Sequence, residues 1–406
     1  MTKLRFYNTF DIAVPIVHAL FPVLSESTNI DAKFVISSSA YREVEITQKK
    51  PYIQFLKAPW YARNKVLVHM CYLLSSILDI FRTKSDLNIF FTQPPFGLPV
   101  LCFISMLCRK DYIVHVMDYH PDFLIASKGS VGTTLLNKIA NRLYVSALVR
   151  AKHVIAIGDC MRALLVNKGL DAGSISVIRN ISWSELPSEK TTHCKTDVIE
   201  LAGTTFELMG RVVVLYSGNQ GVAHEFRTIL TAAENLKESH VFIFVGKGKR
   251  SSEIETAARK QSNVFLLGYL EEHDFNRIKG IADIHFISLR HNYTGLMVPS
   301  KLYSSLQAGK VVLFEGSPTG EVARCIDENK CGYTVPHRDV PEMINVLRRA
   351  HQNIDSVEFQ EMGEAAKDLY YRELHTRKFC EHYVHVLDQV LGDQIERDRM
   401  KSATYE

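Results

Sequence analysis

Residues 298–314 read VPSKLYSSLQAGKVVLF, a short helix followed by a strand, with punctuation at each joint. Pro299 precedes the helix, Ser300 stands where a side chain caps a first turn, and Gly309 follows the last turn. The run KVVLF is apolar, β-branched and of strand length, as expected of a parallel strand covered on both faces. Lys301 is the odd residue. The helix dipole disfavours a cation in the first turn, so either the lysine faces solvent or something negative lies in front of the helix.

Working outward, the same alternation of strand-length apolar runs and longer amphipathic stretches fills the chain. In the first half the runs are KLRFY, KFVIS, LNIFFTQ, YIVHVM and HVIAIG; in the second they are RVVVLYSG, VFIFVG, VFLLGY, IHFISL, KVVLFEG and CGYTV. This is the βαβ pattern of parallel sheets. The 406 residues are too many for one core of ordinary size, so two domains are expected. A polar, poorly periodic segment, including LPSEKTTHCKTD, separates them. The predicted division is 1–183 and 211–375 as two Rossmann-like domains, 184–210 as linker, and 376–406 as a C-terminal helix and tail. The fold class is α/β, with the two domains facing each other across a cleft, since open α/β sheets bind ligands beyond the C-terminal ends of their strands.

Composition bounds the function. An apolar fraction of 46% and a charged fraction of 23% are those of a globular protein. No stretch reaches the roughly 18 uninterrupted apolar residues of a membrane span. The thirteen-residue FGLPVLCFISMLC, Phe96 to Cys108, reads as a buried helix or as a membrane contact. The start MTKLRFYNTF has no apolar signal core, and the eight cysteines show no metal-like spacing, so reduced thiols in a cytoplasmic protein are expected. The net charge of +4 is uneven: residues 1–183 carry 21 basic and 12 acidic side chains, a balance of +9. Such a half suits an anionic partner, here a membrane surface or phosphate. Nucleic acid is not expected, because no dense basic run or binding motif is present.

Three loops that follow strands in the second half carry the chemistry. They are Gly218-Asn219-Gln220-Gly221, then Gly246-Lys247-Gly248-Lys249-Arg250, then Pro299-Ser300-Lys301 at the helix start. Glycines let a backbone approach a ligand closely, and helix starts offer amides to anions. Together they read as a diphosphate cradle, although the chain lacks the P-loop spacing and the dinucleotide fingerprint. In the first half, His115, Asp118 and His120 lie on or just after YIVHV, with Asp118 at the strand's end placed to reach a ligand.

Taken in order, VLYSGNQGVAHEF, FIFVGKGKR, NVFLLGYL, IADIHFISL, VPSKLYSSLQAGKVVLF and GEVARCIDENKCGYTV resemble the C-terminal domain of family 4 glycosyltransferases. FFTQPPFG, YIVHVMDYHPD, HVIAIGDCMRALLVNKG and ISVIRNISW agree with the fucosaminyltransferase-like branch that builds bacterial surface polysaccharides (O-antigen, capsule, exopolysaccharide). The resemblance runs from about Asn88 to Val335; the first 85 residues match poorly. It implies a GT-B fold and a retaining transfer. The donor would be a UDP-, GDP- or TDP-linked sugar, the acceptor a lipid-linked oligosaccharide at the cytoplasmic face of the inner membrane, and no metal or other cofactor would be needed.

The resemblance also distributes roles. Lys301 stabilises the leaving phosphate; Ser300 caps the helix or donates to phosphate, and Pro299 and Tyr303 belong with it to the donor-binding side. Gly218, Asn219 and Gly221, then Gly246, Gly248 and Lys249, contact the diphosphate. Gly268 and Tyr269 hold the nucleobase, and Glu321 completes the donor side. Asp118 and His120 act on the acceptor hydroxyl, and Thr92, Gln93 and Pro94 line the acceptor side. Asn180 and Trp183 fall at the lead into the linker. His224 and Arg227 stand near, but out of register with, a basic pair common in relatives. Two family carboxylates are missing: their places fall on Leu296 and Ser304, which leaves the ribose to Glu315 or Glu321. That gap keeps two alternatives open, a non-catalytic GT-B scaffold or partner subunit and a sugar-nucleotide epimerase of the same fold.

Overall fold

A computed structural model describes residues 1–8, 14–26, 30–37, 52–56, 65–92, 96–128, 135–182, 198–201, 203–208 and 210–392. The chain folds as two units. The first comprises Met1–Ile181 with Gly295–Met297 and Thr376–Glu406; the second comprises Ser182–Thr294 and Val298–His375.

The first unit is built on seven parallel strands: β1 (Thr2–Tyr7), β2 (Ile30–Ser37), β3 (Ile53–Leu56), β4 (Leu87–Phe91), β5 (Asp111–Val116), β6 (His153–Ala156) and β7 (Ile175–Val177). They lie in the order β3-β2-β1-β4-β5-β6-β7, so the chain reverses its direction of travel between β1 and β4. β3 and β7 were not among the sequence-predicted strands; both are short edge elements. The connecting helices are α1 (Val14–Ser25), α2 (Lys65–Arg82), α3 (Leu98–Leu107), α4 (His120–Lys128), α5 (Leu135–Val149) and α6 (Asp159–Asn167).

The second unit opens with an antiparallel hairpin, β8 (Val198–Leu201) and β9 (Thr204–Glu207), where a linker was expected. The hairpin has a physical reason to dock: Phe206 and Leu208 join an apolar cluster of this unit, with Phe206 edge-on to Phe265 at 4.9 Å. Six parallel strands follow: β10 (Val212–Ser217), β11 (His240–Val245), β12 (Val264–Leu267), β13 (Ile284–Ser288), β14 (Val311–Gly316) and β15 (Gly332–Pro336). Their order is β12-β11-β10-β13-β14-β15, the Rossmann order with its reversal between β10 and β13. The helices are α7 (Arg227–Glu234), α8 (Ser251–Ala258), α9 (Glu272–Ile281), α10 (Lys301–Gln307), α11 (Glu321–Asn329), α12 (Val340–Gln352) and α13 (Val357–Leu369).

The unbroken apolar strands are explained by burial on both faces. Val212, Val214, Tyr216, Phe242 and Phe244 point into one core, while Val213, Leu215, Val241, Ile243 and Val245 point into the other. The two-residue period of a strand sorts neighbours to opposite faces. Each fully buried large apolar side chain is worth roughly 1.5–3 kcal/mol against exposure, and the two cores fix the register of every strand between them.

The expected C-terminal helix is α14 (Thr376–Leu391), and it belongs to the first unit. Its Tyr383 is fully buried, 6.5 Å from the ring of Phe6, and its Cys380 Sγ donates to the Ala19 carbonyl of α1. A helix contributed from the far end of the chain therefore finishes the core of the N-terminal sheet.

Candidate functional site

In the second unit the strands are parallel, so the loops after β10, β11, β12, β13 and β14 share one rim. The reversal between β10 and β13 places the loops that follow them beside a crevice where no crossover helix fills the gap. Lys301 arrives there. Its Nζ lies 3.4 Å from His224 Nε2 in the loop after β10, and 4.8 Å from the centre of the Tyr216 ring. On the other side of His224, Nδ1 meets the Ser288 carbonyl at the end of β13, 2.6 Å away.

This chain of contacts settles protonation. Burial, and then the nearby Lys301 charge, pull His224 down to about 3, so the ring is neutral. With Nδ1–H donating to Ser288, Nε2 is left to accept from the lysine ammonium. Burial pulls Lys301 itself down to about 8. Among the described residues no carboxylate pairs with it, and its company is a π face and a neutral imidazole. A half-buried ammonium in such a place is costly to keep charged, and an anion at the rim removes that cost.

The glycines divide into two kinds. Gly218 has φ +108, and a Cβ there would stand 3.4 Å from Lys301 Cε, so its bareness opens the space in front of the lysine. Gly246 has φ +112, and its Cβ would meet the Gly218 carbonyl at 2.4 Å; a Cβ on Gly248 would meet the Gln220 carbonyl carbon at 2.4 Å. Gly246 and Gly248 therefore serve close packing of one loop on another. The Gln220 side chain locks the pair, donating to the Gly246 carbonyl and accepting from Ser251 Oγ at 2.6 Å. The backbone of Asn219 accepts from Tyr216 Oη at 2.7 Å, and Gly221 faces the Asn219 side chain.

Other expected donor-side residues fall at various depths. Lys249 is exposed, and Tyr269 presents 73% of its surface just beyond β12, next to Gly268, a free aromatic face at the rim. Pro299 is buried. Ser300 occupies the N-cap position in a helical conformation and makes no side-chain cap, which removes the first of its two expected roles; an N-cap side chain reaches back from an extended backbone, which Ser300 lacks. Tyr303 is fully buried, so it supports α10 from within. Glu321 is also buried in the first turn of α11, where the dipole favours it, and Arg324 lies 3.3 Å from its Oε2.

The residues at the two places where family carboxylates are missing are engaged elsewhere. Leu296 is a buried apolar residue of the first unit, and Ser304 Oγ donates to the Lys301 carbonyl within its own helix. Glu315 is turned inward: it is fully buried, accepts from Thr228 Oγ1 at 2.6 Å and the Arg338 amide at 3.1 Å, and burial pushes it up to about 7. Sequence reasoning missed the neighbouring Glu225, a buried carboxylate with Arg250 at 3.3 Å, Arg338 at 3.7 Å and Arg290 at 3.9 Å. These ties, from loops after β11, β13 and β15, brace the segment that carries His224. The string HEF held the only signal, the two titratable residues of a loop whose other members are uncharged.

In the first unit, Thr92 is fully buried and its hydroxyl accepts from the Met117 and Asp118 amides, both at 3.2 Å. It sets the turn that presents Asp118 beyond β5, so its observed work is to shape the rim. Burial raises Asp118 to about 6. His120 begins α4, is 5% exposed, and has no partner on either ring nitrogen among the described residues; burial, with His69 adding to it, lowers it to about 4. His115 is fully buried under Phe91 and Tyr383 and is a core histidine. Asn180 is buried. Gln93, Pro94 and Trp183 lie outside the described residues.

Comparison with known proteins gives this geometry a class. Residues 211–353 match the family model described as "Glycosyl transferases group 1". The chain is 25% identical over 291 residues to a probable glycosyltransferase, WbjE, of Pseudomonas aeruginosa, covering 68% of this chain and 69% of that one. It is 24% identical over 257 residues to the putative colanic acid biosynthesis glycosyl transferase WcaI of Escherichia coli (strain K12), covering 60% and 62%. Among solved structures, Anabaena Alr3699/HepE in complex with UDP superposes with TM-score 0.69 at 11% identity, over 96% of this chain and 100% of that one. WaaG, a glycosyltransferase involved in lipopolysaccharide biosynthesis, superposes with TM-score 0.62 at 13% identity, over 95% and 99%. The two Rossmann-like units are those of the GT-B fold. The second contains the stretch that matches the group 1 model, and the chain is a glycosyltransferase.

Proposed function

We propose that this chain is a retaining transferase of the fucosaminyltransferase-like branch of family 4. It moves a sugar from a UDP-, GDP- or TDP-linked donor to a lipid-linked oligosaccharide in bacterial surface-polysaccharide synthesis, working at the cytoplasmic face of the membrane. The carrying observation is Lys301, a half-buried cation without a carboxylate partner at the strand-order reversal, facing the space that Gly218 leaves open.

In this reading the leaving diphosphate lies in front of α10, and Lys301 neutralises the charge that develops as the glycosidic bond breaks. Tyr269 offers a stacking face to the nucleobase. No metal ion is assigned to the step. On the first unit, Asp118 accepts the acceptor hydroxyl proton, and neutral His120 orients that hydroxyl. The name of WbjE supports sugar transfer, those of WcaI and WaaG support the process, and the UDP complex of HepE supports the donor class.

Calorimetry with UDP-, GDP- and TDP-sugars, followed by transfer assays with lipid extract, tests the reading. Binding of one donor class, lost in Lys301→Ala and unaffected by a chelator, is expected. Leucine at 296 and serine at 304 favour a second reading, a GT-B scaffold without chemistry; binding of no donor would select it. Donor conversion in the absence of any acceptor would select an epimerase.

A further inference from the structure

The proposed function places the protein at a membrane face without saying which surface meets it, and the first unit carries an apolar surface to which no step of sugar transfer gives a role. α3 packs beside α2 on one flank and α5 on the other. The inner sides of all three helices are buried normally: Val68, Tyr72 and Ile80 from α2, Leu98 and Leu101 from α3, Tyr144 and Leu148 from α5.

Their outer sides are apolar as well. On α2, Leu67, Met70, Leu74, Leu78 and Phe81 recur at three- and four-residue spacing, each at least 40% exposed. On α3 the exposed set is Val100, Phe103, Met106 and Leu107, with Phe96 just before it; on α5 it is Leu135, Ile139 and Leu143. Leu74, Phe103 and Leu143 are 58%, 57% and 56% exposed. A surface helix normally turns polar residues outward, and contiguous apolar patches of this kind mark interaction sites.

Charge on the same three helices is one-sided. Their single acidic residue, Asp79, is buried on the inner side, where it accepts from Tyr7 Oη at 2.8 Å and Gln54 at 2.9 Å. The exposed cations are Arg82 and Lys84 at the end of α2, Arg109 after α3, Lys138 and Arg142 on α5, and Arg150 after it. No described helix is long and apolar enough to cross a bilayer.

We infer that the joint outer face of α2, α3 and α5 docks this protein in the plane of an anionic lipid bilayer. Leucine, methionine and phenylalanine side chains enter the headgroup–acyl boundary while the arginines and lysines meet lipid phosphates. A protein partner fits less well, since the three helices expose a broad apolar field and no acidic side chain with which to fix a register; the nearest exposed acids, Asp86 and Asp111, lie beyond the ends of α2 and α3 and are outnumbered by the six cations. The surface says nothing about sugar donors, so its test and the test of the transferase reading fail separately.

The test uses the full chain with sedimenting vesicles of phosphatidylglycerol and phosphatidylethanolamine, set against vesicles of phosphatidylcholine alone. Binding to the anionic vesicles that weakens with salt is expected. The pair Leu74→Glu with Phe103→Glu should weaken it roughly tenfold or more, with the fold checked by circular dichroism. Lys138→Glu with Arg142→Glu should weaken it by about tenfold and flatten the salt dependence. Should the first pair misfold, Leu74→Ser with Phe103→Ser replaces it. Folded variants that bind like the parent, or equal binding to both vesicle types, would overturn the proposal. So would a dimer split by the Leu74 and Phe103 changes in a protein that ignores lipid, which would assign the face to a second copy.

Discussion

Lys301 Nζ and His224 Nε2 stand 3.4 Å apart, joining the first turn of α10 to the loop after β10 across the point where the strand order reverses. The histidine is neutral, anchored through Nδ1 to the Ser288 carbonyl, so it holds the ammonium without quenching its charge. A carboxylate in that place would have claimed the cation for itself; imidazole leaves it available to an anion.

Removing the charge should therefore be felt in turnover. Lys301→Ala is expected to lower kcat on the order of a hundredfold, as for loss of one donor to a developing negative charge. Steady-state kinetics with the donor found by calorimetry checks it, and an unchanged rate would remove Lys301 from the mechanism.

The depressed value of about 8 for Lys301 predicts a pH dependence. Below pH 8 the free protein carries the cation and binds the diphosphate; as pH rises through 8 the charge is lost and donor affinity falls. Lys301→Arg should abolish this alkaline limb, since a guanidinium stays protonated throughout. Donor titrations between pH 7 and 9.5 decide it.

Gly246→Ala should disturb the site without touching a ligand. The new Cβ would meet the Gly218 carbonyl at 2.4 Å in a backbone with φ +112. A cost of about 1–3 kcal/mol is expected, together with weaker donor binding as the Gly218 loop moves. Chemical denaturation and calorimetry on the same variant read both effects.

Asp118, raised to about 6, opposes activity and stability. As a base it works ionised, so transfer should fall as pH drops below 6. Because its folded pKa lies above the unfolded value of about 3.9, ionised Asp118 destabilises the fold, fully so above pH 6. Asp118→Asn should lose transfer and gain thermal stability at pH 7.5. A variant that loses both was mis-assigned.

Acid should unfold the protein through its core histidines. His115, His224 and His285 are lowered by burial to about 3, and His240 to about 4. The unfolded chain protonates near 6.5, so their neutral form contributes stability fully present above that value and lost as pH falls below it. Thermal melts from pH 7 to pH 4 should show a steady decline that His115→Phe reduces.

The six-stranded sheet of the second unit was readable strand by strand. Six predicted runs are six strands, because burial on both faces demands continuous apolar residues and leaves an unmistakable trace. The first unit was readable only where the same demand held. The four-residue β3 and three-residue β7 lie at sheet edges, where fewer buried positions mark a strand, and the β8–β9 hairpin hid in a polar stretch because only Phe206 and Leu208 dock. At the site, glycines and a cation at a helix start announced a phosphate loop. They did not reveal which glycines face the ligand space and which face another loop, since that depends on the direction of a Cβ the residue does not have.

VPSKLYSSLQAGKVVLF determined by itself that a helix bearing a first-turn lysine would precede a buried strand, since spacing and punctuation are local properties of the chain. What stands in front of that lysine was decided by tertiary structure alone. His224 is 77 residues away in sequence, and only the reversal between β10 and β13 brings its loop to α10. The same holds for the apolar faces of α2, α3 and α5. Each helix shows its own stripe in the sequence, but only their packing side by side makes one surface of them.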